Sequence, residues 1–408
     1  MKMFTRAFML VCLLAGITAQ AQEPVPAAVG NRPDAPTYGV RGMFPVGTRD
    51  LVVADGAPLD LTLRYPALNT DSVDEAIQYP CVIKLDMLAG MSAAISGRAL
   101  ADATPDTTGA PYPLVVISPG FGVGRSAYAW LAEHLASHGF AVIALEHAER
   151  VDESLSTFWR GAIVRPNDIS AVLDYAEAQT VNGAWTEPID MSQIAVVGHS
   201  YGGYTALAMA GATLNLSEMT TFCDAAEAAG DPSVWLCGLI LPYASDMATL
   251  AGLDAIPDGL WDSWGDARVD AIVPMAGDAY FFGESGLANV TVPVMALGGT
   301  ADTGTPCAWG TEMTYNHVAS AHRVRVGFEN AEHMIFGTAC DDFPLFAEVG
   351  FYAFCSDTVW DMDRAHDLIS HFTTAFLLAE LNDDREAAAA LTPDAVRFAG
   401  VTYDTEGY

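Results

Sequence analysis

The sequence is long and strongly acidic, and both properties limit what the protein can bind. Its 408 residues include 51 Asp and Glu against 18 Lys and Arg, which gives a formal net charge of -33 at pH 7. A surface of this charge repels polyphosphate and anionic lipid, so the composition excludes nucleic acid and anionic membranes as partners. The length suits a single α/β domain that carries insertions.

The first residues have the pattern of a secretory signal peptide. Basic Lys2 and Arg6 precede an apolar run at 7–16, and the small-x-small sequence Ala-Gln-Ala at 19–21 is a cleavage site. The apolar run is too short to span a membrane. We therefore expect residues 1–21 to be removed and the mature protein to be secreted or periplasmic, with no transmembrane segment. A retained N-terminal anchor is the alternative.

Six cysteines remain after this cleavage, and an even number in an exported chain suggests disulfide bonds. The sequence does not fix their pairing. Closure of short loops favours Cys223–Cys237 and Cys340–Cys355, which leaves Cys81 to pair with Cys307. Zinc binding is the rival interpretation, but no Cys-x-x-Cys or paired histidine spacing supports it.

Residues 22–38 are rich in Pro and Ala, which predicts a loose leader before one domain at 39–408. Alternation of apolar and polar residues predicts an antiparallel strand at 59–66, whereas 67–112 lacks sustained periodicity. A regular succession of strands and helices then follows. The predicted strands are 114–117, 141–145, 194–197, 271–275, 292–297 and 324–328, and the predicted helices are about 127–138, 168–178, 205–210 and 365–381.

Short apolar strands that alternate with helices predict a mostly parallel sheet with helices on both faces. Residues 214–265 interrupt the pattern with three tryptophans, two cysteines and several helix-like pieces. We interpret this stretch as a helical insertion that forms a cap or wall beside the functional site. A disulfide-tied decoration far from the site is the alternative.

The sequence Gly198-His199-Ser200-Tyr201-Gly202 joins a predicted buried strand to a predicted helix. A Gly-x-Ser-x-Gly motif in that setting is typical of a nucleophile elbow, in which the turn holds the serine hydroxyl at the C-terminal edge of the sheet. The helix that follows directs backbone amides towards the same place. The pattern predicts Ser200 as the nucleophile of a hydrolase.

A serine hydroxyl needs a general base, and the base needs a carboxylate to orient it. His333 lies in a loop just after the last predicted parallel strand. In hydrolases whose serine lies on a strand-to-helix turn, the histidine base occupies this position. Two carboxylates follow strand ends: Asp302 after 292–297 and Asp278 after 271–275. We favour Asp302 and keep Asp278 as the alternative. His147, at the end of a predicted strand, is a weaker candidate for chemistry, and His199, the variable residue of the elbow, should point elsewhere.

The tetrahedral intermediate of acyl transfer needs two backbone amides that stabilise its oxyanion. We expect one from Tyr201, directly after the nucleophile. The other should come from Phe121, in the glycine-rich turn that follows the strand at 114–117. A tight glycine turn without a catalytic role is the alternative for this segment.

The chain resembles bacterial relatives of platelet-activating-factor acetylhydrolase and dienelactone hydrolase, within the α/β-hydrolase superfamily. The likeness covers roughly residues 40–380 and depends on a set of short motifs. These are Arg64-Tyr65-Pro66-Ala67, Ser118-Pro119-Gly120-Phe121-Gly122, the stretch 136–147, Arg165-Pro166-Asn167-Asp168-Ile169, the elbow at 198–203, and 292–295 leading to Asp302.

The resemblance implies the α/β-hydrolase fold and ester hydrolysis through an acyl-enzyme, without a cofactor or metal, on a small-molecule or polymeric ester. In the acetylhydrolase branch the acid follows the earlier strand, the place of Asp278. In the branch of secreted polyester and lipid esterases it follows the later strand, the place of Asp302. A serine at 200 argues against dienelactone hydrolase activity proper, which uses cysteine.

We therefore expect a secreted serine carboxylesterase. A short-acyl phospholipase A2 of the acetylhydrolase kind is the first alternative, and a polyester or phthalate-ester hydrolase is the second. A non-catalytic binding protein that kept the fold is a hypothesis of a different class.

Overall fold

The computed structural model describes residues 30–54, 58–82, 92–147 and 155–408. The predicted signal peptide and residues 22–29 of the predicted leader lie outside this part of the chain. The described strands, in chain order, are β1 Val46–Val53, β2 Leu59–Pro66, β3 Ile77–Val82, β4 Ser92–Gly97, β5 Leu100–Ala101, β6 Tyr112–Ser118, β7 Ala141–Leu145, β8 Ile189–His199, β9 Ala271–Met275, β10 Val294–Gly299, β11 Arg323–Phe328 and β12 Val401–Glu406.

Ten of these strands form one sheet in the order β12-β11-β10-β9-β8-β6-β7-β2-β1-β5. Six neighbouring strands of this sheet pair in parallel, namely β7, β6, β8, β9, β10 and β11. Strand β2 pairs antiparallel with β7, and β12 pairs antiparallel with β11. The central strands are fully buried because both faces of the sheet are covered. This confirms the predicted α/β-hydrolase architecture.

The described helices are α1 Ala129–Ser137, α2 Gly161–Val181, α3 Tyr201–Met209, α4 Leu216–Ala229, α5 Ala244–Leu250, α6 Gly283–Leu287, α7 Thr311–His317, α8 Pro344–Glu348, α9 Met362–Asn382 and α10 Arg385–Ala390. One apolar core contains residues of α2 and α3, and the other contains residues of α1 and α9. Side chains of the central strands contribute to both cores, alternating along each strand, so the two cores lie on opposite faces of the sheet.

Helix α2 begins two turns before the predicted start at Asp168, and Pro166 lies inside it. A proline has no N–H to donate to the carbonyl one turn earlier, so it normally disrupts a helix interior. Here the carbonyl oxygen of Ala162 instead accepts a hydrogen bond from the Tyr204 hydroxyl, at 2.8 Å. This contact from α3 explains why the helix continues through the proline.

The segment 67–112, in which the sequence shows no sustained periodicity, contains a separate two-stranded hairpin, β3–β4. Its residues pair antiparallel from Ile77–Gly97 to Val82–Ser92. The hairpin packs through Tyr79 and Ile95 against Ala129 and Phe343, so its stability depends on distant parts of the chain rather than on its own periodicity.

Two of the three expected disulfides are present, Cys223–Cys237 and Cys340–Cys355. The expected pair of Cys81 and Cys307 is wrong, because both are free thiols. Cys81 lies on the β3–β4 hairpin, whereas the thiol of Cys307 donates to the carbonyl oxygen of Gly299 at the end of β10. Pairing by elimination failed because the two thiols belong to different substructures.

The predicted insertion is helical and is tied together by Cys223–Cys237. Its Tyr243 ring stacks on Trp159, with ring centroids 5.8 Å apart. By length and composition alone, one stretch of the described chain, Pro232–Leu250, could cross a membrane, and 33% of it is buried. It consists of 3-10 turns at Pro232–Leu239 and Leu241–Tyr243 followed by α5, so it is weak evidence for a membrane span.

Candidate active site

Ser200 lies in a strained turn between β8 and α3. Its backbone angles are φ 57° and ψ -121°, a conformation that costs a non-glycine residue on the order of 1–3 kcal/mol. Gly198 and Gly202 permit the turn, since a Cβ at either would lie within 2.1 Å of a backbone oxygen. The Ser200 amide donates to the Met275 carbonyl oxygen at 2.8 Å, which fixes the turn to the end of β9. This is the geometry of a nucleophile elbow.

His333 and Asp302 lie together at the same edge of the sheet. The Nδ1 atom of His333 is 2.7 Å from Oδ2 of Asp302, whose side chain is only 1% exposed. The other carboxylate oxygen accepts hydrogen bonds from the amides of Gly304 and Thr305, at 2.7 and 2.8 Å. These bonds hold the carboxylate in place, so the His333 ring donates from Nδ1 and leaves Nε2 as the proton acceptor.

Burial alone would lower the pKa of His333, but the charge of Asp302 and the hydrogen bond to it outweigh burial. The pKa of His333 is therefore raised above its ordinary value of 6.5. The side chain remains 20% exposed, which leaves the ring open towards the site.

Asp278, the alternative acid, makes neither a hydrogen bond nor an ion pair with His333. It is buried and its Oδ1 accepts a hydrogen bond from the Thr305 hydroxyl at 2.7 Å. Burial raises the pKa of Asp278 to about 6, although the Thr305 hydrogen bond acts in the opposite direction. Asp278 thus supports the loop whose amides hold Asp302.

His199, the variable residue of the elbow, connects the loops around Ser200. Its Nε2 is 3.1 Å from the His333 carbonyl oxygen and its Nδ1 is 2.8 Å from the Tyr128 hydroxyl. Burial, reinforced by the nearby charge of His333, holds the pKa of His199 well below 6.5. The ring is therefore neutral, with the proton on Nε2 because a carbonyl oxygen only accepts.

The turn after β6 packs directly against the elbow. A Cβ at Gly120 would lie 3.6 Å from the Ser200 Cβ, and the Gly120 amide donates to the Tyr128 hydroxyl at 3.3 Å. The Phe121 amide donates no hydrogen bond to the residues that the structure describes. This turn can therefore direct an amide towards a ligand beside Ser200.

The buried side chain of Arg165, on α2, holds that turn from behind. Its guanidinium donates to the carbonyl oxygens of Pro119 and Gly120, at 2.6 and 3.0 Å, and lies 4.9 Å from the centre of the Tyr201 ring. Sequence reasoning treated Arg165 only as part of a family motif. The available signal was an arginine close to apolar residues, three positions before the predicted helix at 168–178, because a buried arginine needs acceptors.

A second Ser, His and Asp set lies nearby but is buried. Nε2 of His147 is 2.9 Å from the Ser118 hydroxyl, and its Nδ1 is 2.7 Å from Oδ2 of Asp168. Ser118 is fully buried within a strand, so substrate does not reach its hydroxyl. The set connects the end of β6 to α2 and supports the same turn.

Aromatic rings form one wall beside the elbow. Phe158 stacks on Tyr201 with ring centroids 4.3 Å apart, and Phe121 packs edge-on against Phe158 at 4.9 Å. The insertion reaches this wall through Tyr243 and Trp159. Whether it acts as a cap remains a prediction. The described residues contain no group of three or more His, Cys, Asp or Glu side chains placed to hold a metal ion.

A solved structure, ferulic acid esterase from Streptomyces cinnamoneus, has the same fold with a TM-score of 0.54 and 22% sequence identity. The match covers 89% of this chain and 97% of that chain. This likeness shows that the chain has the α/β-hydrolase fold. A family model described as PETase, PET hydrolase-like, matches residues 64–257, a range that includes Phe121 and Ser200 and ends before Asp302 and His333.

Among curated proteins, the chain is similar to a cutinase and to a terephthalate ester hydrolase. Cutinase est1 of Thermobifida alba is 27% identical over 223 residues, 54% of this chain and 53% of that protein. The bis(hydroxyethyl) terephthalate hydrolase of Streptomyces coelicolor is 30% identical over 184 residues, 45% of this chain and 55% of that protein. The chain thus spans about half the length of these relatives.

Proposed function

We propose that this protein is a serine carboxylic-ester hydrolase that works through an acyl-enzyme. Ser200 attacks the ester carbonyl carbon while His333 takes the hydroxyl proton on Nε2. The tetrahedral intermediate collapses and the carbon–oxygen bond to the alcohol breaks, with His333 returning the proton to the alcohol oxygen. Water, deprotonated by His333, then attacks the acyl-serine and releases the acid.

Two observations carry this proposal together: the strained backbone of Ser200, and a histidine, His333, that a buried carboxylate orients. The ring of His333 lies 4.6 Å from the ring of His199, the residue that directly precedes Ser200. A protein has no structural need for that backbone strain at a serine, and such strain concentrates at functional sites. Asp302 favours the tautomer of His333 that accepts a proton and stabilises the imidazolium that forms.

The amides of Phe121 and Tyr201 are the proposed oxyanion donors, and Arg165 is a positioning residue for the first of them. In a trans peptide the carbonyl and the N–H point in opposite directions. Because Arg165 binds the Gly120 carbonyl oxygen, the N–H of the same peptide unit, which belongs to Phe121, points away from Arg165. The orientation of the donor is therefore set before substrate arrives, which is how such sites lower the barrier.

The relatives named above act, by their names, on cutin, bis(hydroxyethyl) terephthalate and ferulic acid esters, so we infer that the substrate is a neutral ester or polyester. Contact of His333 with Asp302, rather than with Asp278, favours the polyester and lipid esterase branch over the acetylhydrolase branch. Two disulfides support export to a secreted or periplasmic location. The sequence pattern of residues 1–21 supports their removal as a signal peptide.

The deciding experiment compares Ser200→Ala with Ser192→Ala, a matched control at the other end of the same strand. Ser200→Ala should abolish hydrolysis of p-nitrophenyl butyrate and labelling by a fluorophosphonate probe, and mass spectrometry should find the probe on Ser200. Ser192→Ala should behave as the unsubstituted protein. Full activity of Ser200→Ala would refute the proposal, and a protein that neither hydrolyses esters nor reacts with the probe would instead be a binding protein.

A further inference from the structure

A narrow apolar pocket opens beside the turn that follows β6, called the Phe121 turn below. It contains about 650 Å³ of empty space, a volume that includes the part open to solvent. Its lining is almost entirely carbon, and no charged side chain contributes to it among the described residues. The residues that the argument uses are Cys81, Phe121, Met334, Phe343, Phe346 and Phe354.

Three parts of the chain form the walls of this pocket. The first is the Phe121 turn and the residues leading into α1, the second is the β3–β4 hairpin, and the third is the segment 334–354 that follows His333. Ser126 donates to the Pro80 carbonyl oxygen at 3.1 Å, and Ser96 donates its amide to the Asp342 carbonyl oxygen at 3.1 Å. The walls are therefore connected to one another by hydrogen bonds.

The third wall is also held in shape by a covalent bond and by aromatic packing. Cys340–Cys355 closes the segment, and the Phe346 ring packs between Phe343 and Phe354 at centroid distances of 4.7 and 5.5 Å. Phe343 is buried against the hairpin residues Tyr79 and Ile95. The pocket therefore exists before a ligand binds, which reduces the ordering cost of filling it.

We propose that this pocket binds the alcohol portion of the ester substrate, and that the portion is an uncharged alkyl or aryl group. The inference rests on the proposed function. The general acid must lie beside the leaving oxygen, so the alcohol departs on the side of His333. Met334, the next residue, lines the pocket, and the wall continues along the chain from there to Phe354.

The acyl group then occupies the other side of Phe121. The Phe121 ring contacts Phe158 and Tyr201, which form the aromatic wall beside the elbow and do not belong to the pocket lining. A charged alcohol, such as one that carries a phosphate, would lose its hydration in the pocket without gaining a partner there. The pocket thus selects esters of neutral apolar alcohols.

The first test uses two ester series with the unsubstituted enzyme and Cys81→Phe, which fills the pocket. One series varies the alcohol (methyl, butyl and hexyl butyrate), and the other varies the acid (methyl acetate, butyrate and hexanoate). With the unsubstituted enzyme, kcat/KM should rise about fourfold for each alcohol methylene that is buried. Cys81→Phe should lower the hexyl-to-methyl ratio in the alcohol series at least tenfold and leave the ratios of the acid series unchanged.

Val52→Phe is the matched control, because Val52 is 49% exposed on β1 and is not part of the lining. Its ratios should equal those of the unsubstituted enzyme. A change in the acid series instead of the alcohol series would assign the pocket to the acyl group and overturn the proposal. Unchanged ratios in both series would remove the pocket from the substrate site altogether.

The second test needs no substitution and no turnover. Cys81 and Cys307 are both free thiols, and burial raises the pKa of Cys81 to about 11 and of Cys307 to about 12, so both react slowly with N-ethylmaleimide. Saturating 1-hexanol should slow labelling of Cys81 at least threefold without slowing that of Cys307, as followed by peptide mass spectrometry. Equal rates with and without hexanol would contradict the proposal.

The two tests separate failure of this inference from failure of the proposed function. If Ser200-dependent hydrolysis is found but the alcohol series and the Cys81 labelling do not respond, the pocket inference is wrong and the hydrolase proposal stands. If no ester is hydrolysed but hexanol protects Cys81, the pocket binds apolar alcohols and the hydrolase proposal is wrong.

Discussion

The guanidinium of Arg165 donates a 3.0 Å hydrogen bond to the carbonyl oxygen of Gly120. It donates a second hydrogen bond, of 2.6 Å, to the carbonyl oxygen of Pro119. Arg165 therefore binds the turn that carries the Phe121 amide at two carbonyl oxygens. An arginine is suited to this role because its planar fork reaches two acceptors at once, whereas the ammonium of a lysine is a point charge. The orientation of the proposed oxyanion donor therefore depends on a fully buried side chain behind the turn.

We predict that Arg165→Lys lowers kcat by roughly 10- to 100-fold while KM changes little, because a displaced donor weakens binding of the transition state more than of the substrate. Arg268→Lys, a partly exposed arginine paired with Asp266, is the matched control and should keep full activity. Thermal unfolding of each variant shows whether the fold is intact. A rise in KM with unchanged kcat in Arg165→Lys would contradict the positioning role.

Asn substitutions at the two buried aspartates should separate their functions. Asp302→Asn removes the charge that holds the His333 tautomer, so kcat should fall on the order of 10³- to 10⁴-fold. Asp278→Asn keeps an acceptor for Thr305 and should reduce kcat less than tenfold, roughly the effect of a shift in a supporting hydrogen bond. Steady-state kinetics on one neutral ester measures both. Equal losses in the two variants would refute the assignment of Asp302 as the orienting acid.

In a plot of kcat/KM against pH, the decline on the acid side should have its midpoint above pH 6.5. The reason is that the pKa of His333 is raised and that only the neutral ring accepts the serine proton. As pH falls through that pKa the ring becomes protonated and kcat/KM declines. The residual kcat/KM of Asp302→Asn should decline at a lower pH, since this variant loses the charge and the hydrogen bond that raise the pKa of His333 most, while burial still lowers that pKa. The same midpoint pH for the decline in kcat/KM of both proteins would contradict this account.

Asp278 should make the folded state less stable as pH rises. Its folded pKa of about 6 lies above the value of about 3.9 in an unfolded chain, so the folded state holds the proton to higher pH. The stabilisation from this group is full below the unfolded pKa and is lost as pH rises through about 6.

The prediction concerns the difference in free energy of unfolding between Asp278→Asn and the unsubstituted protein. This difference should be about 2 kcal/mol more favourable to Asp278→Asn at pH 8 than at pH 4.5, because only the unsubstituted protein loses stability as pH rises. Denaturant unfolding with the disulfides intact measures the difference. A gap between the two proteins that is the same at both pH values would show that Asp278 does not titrate as the structure indicates.

Much of the central sheet could be predicted because buried parallel strands are short apolar runs with clear ends. The strands at 141–145 and 271–275 agree with the structure to the residue. The β3–β4 hairpin could not be predicted, since its strands are fixed by contact with Ala129 and Phe343. The start of α2 was wrong for a related reason, because the contact of Tyr204 with Ala162 compensates for the proline.

The disulfides show the same division between local and distant information. Loop closure favoured Cys223–Cys237 and Cys340–Cys355, and both bonds are confirmed. The remaining cysteines are separated by most of the chain, and no local rule states whether their thiols meet. Pairing Cys81 with Cys307 because they were the two cysteines left over was therefore wrong.

The sequence by itself determined the elbow at Ser200, because a strand, a strained turn and close glycine packing are all local requirements. It narrowed the orienting acid to Asp302 and Asp278, since both follow neighbouring parallel strands and reach the same edge of the sheet. Only the tertiary structure decided which carboxylate meets His333: the amides of Gly304 and Thr305 hold Asp302 towards the ring, while Asp278 is buried against Thr305. That choice depends on the path of a loop, and a loop path is set by packing across the whole fold.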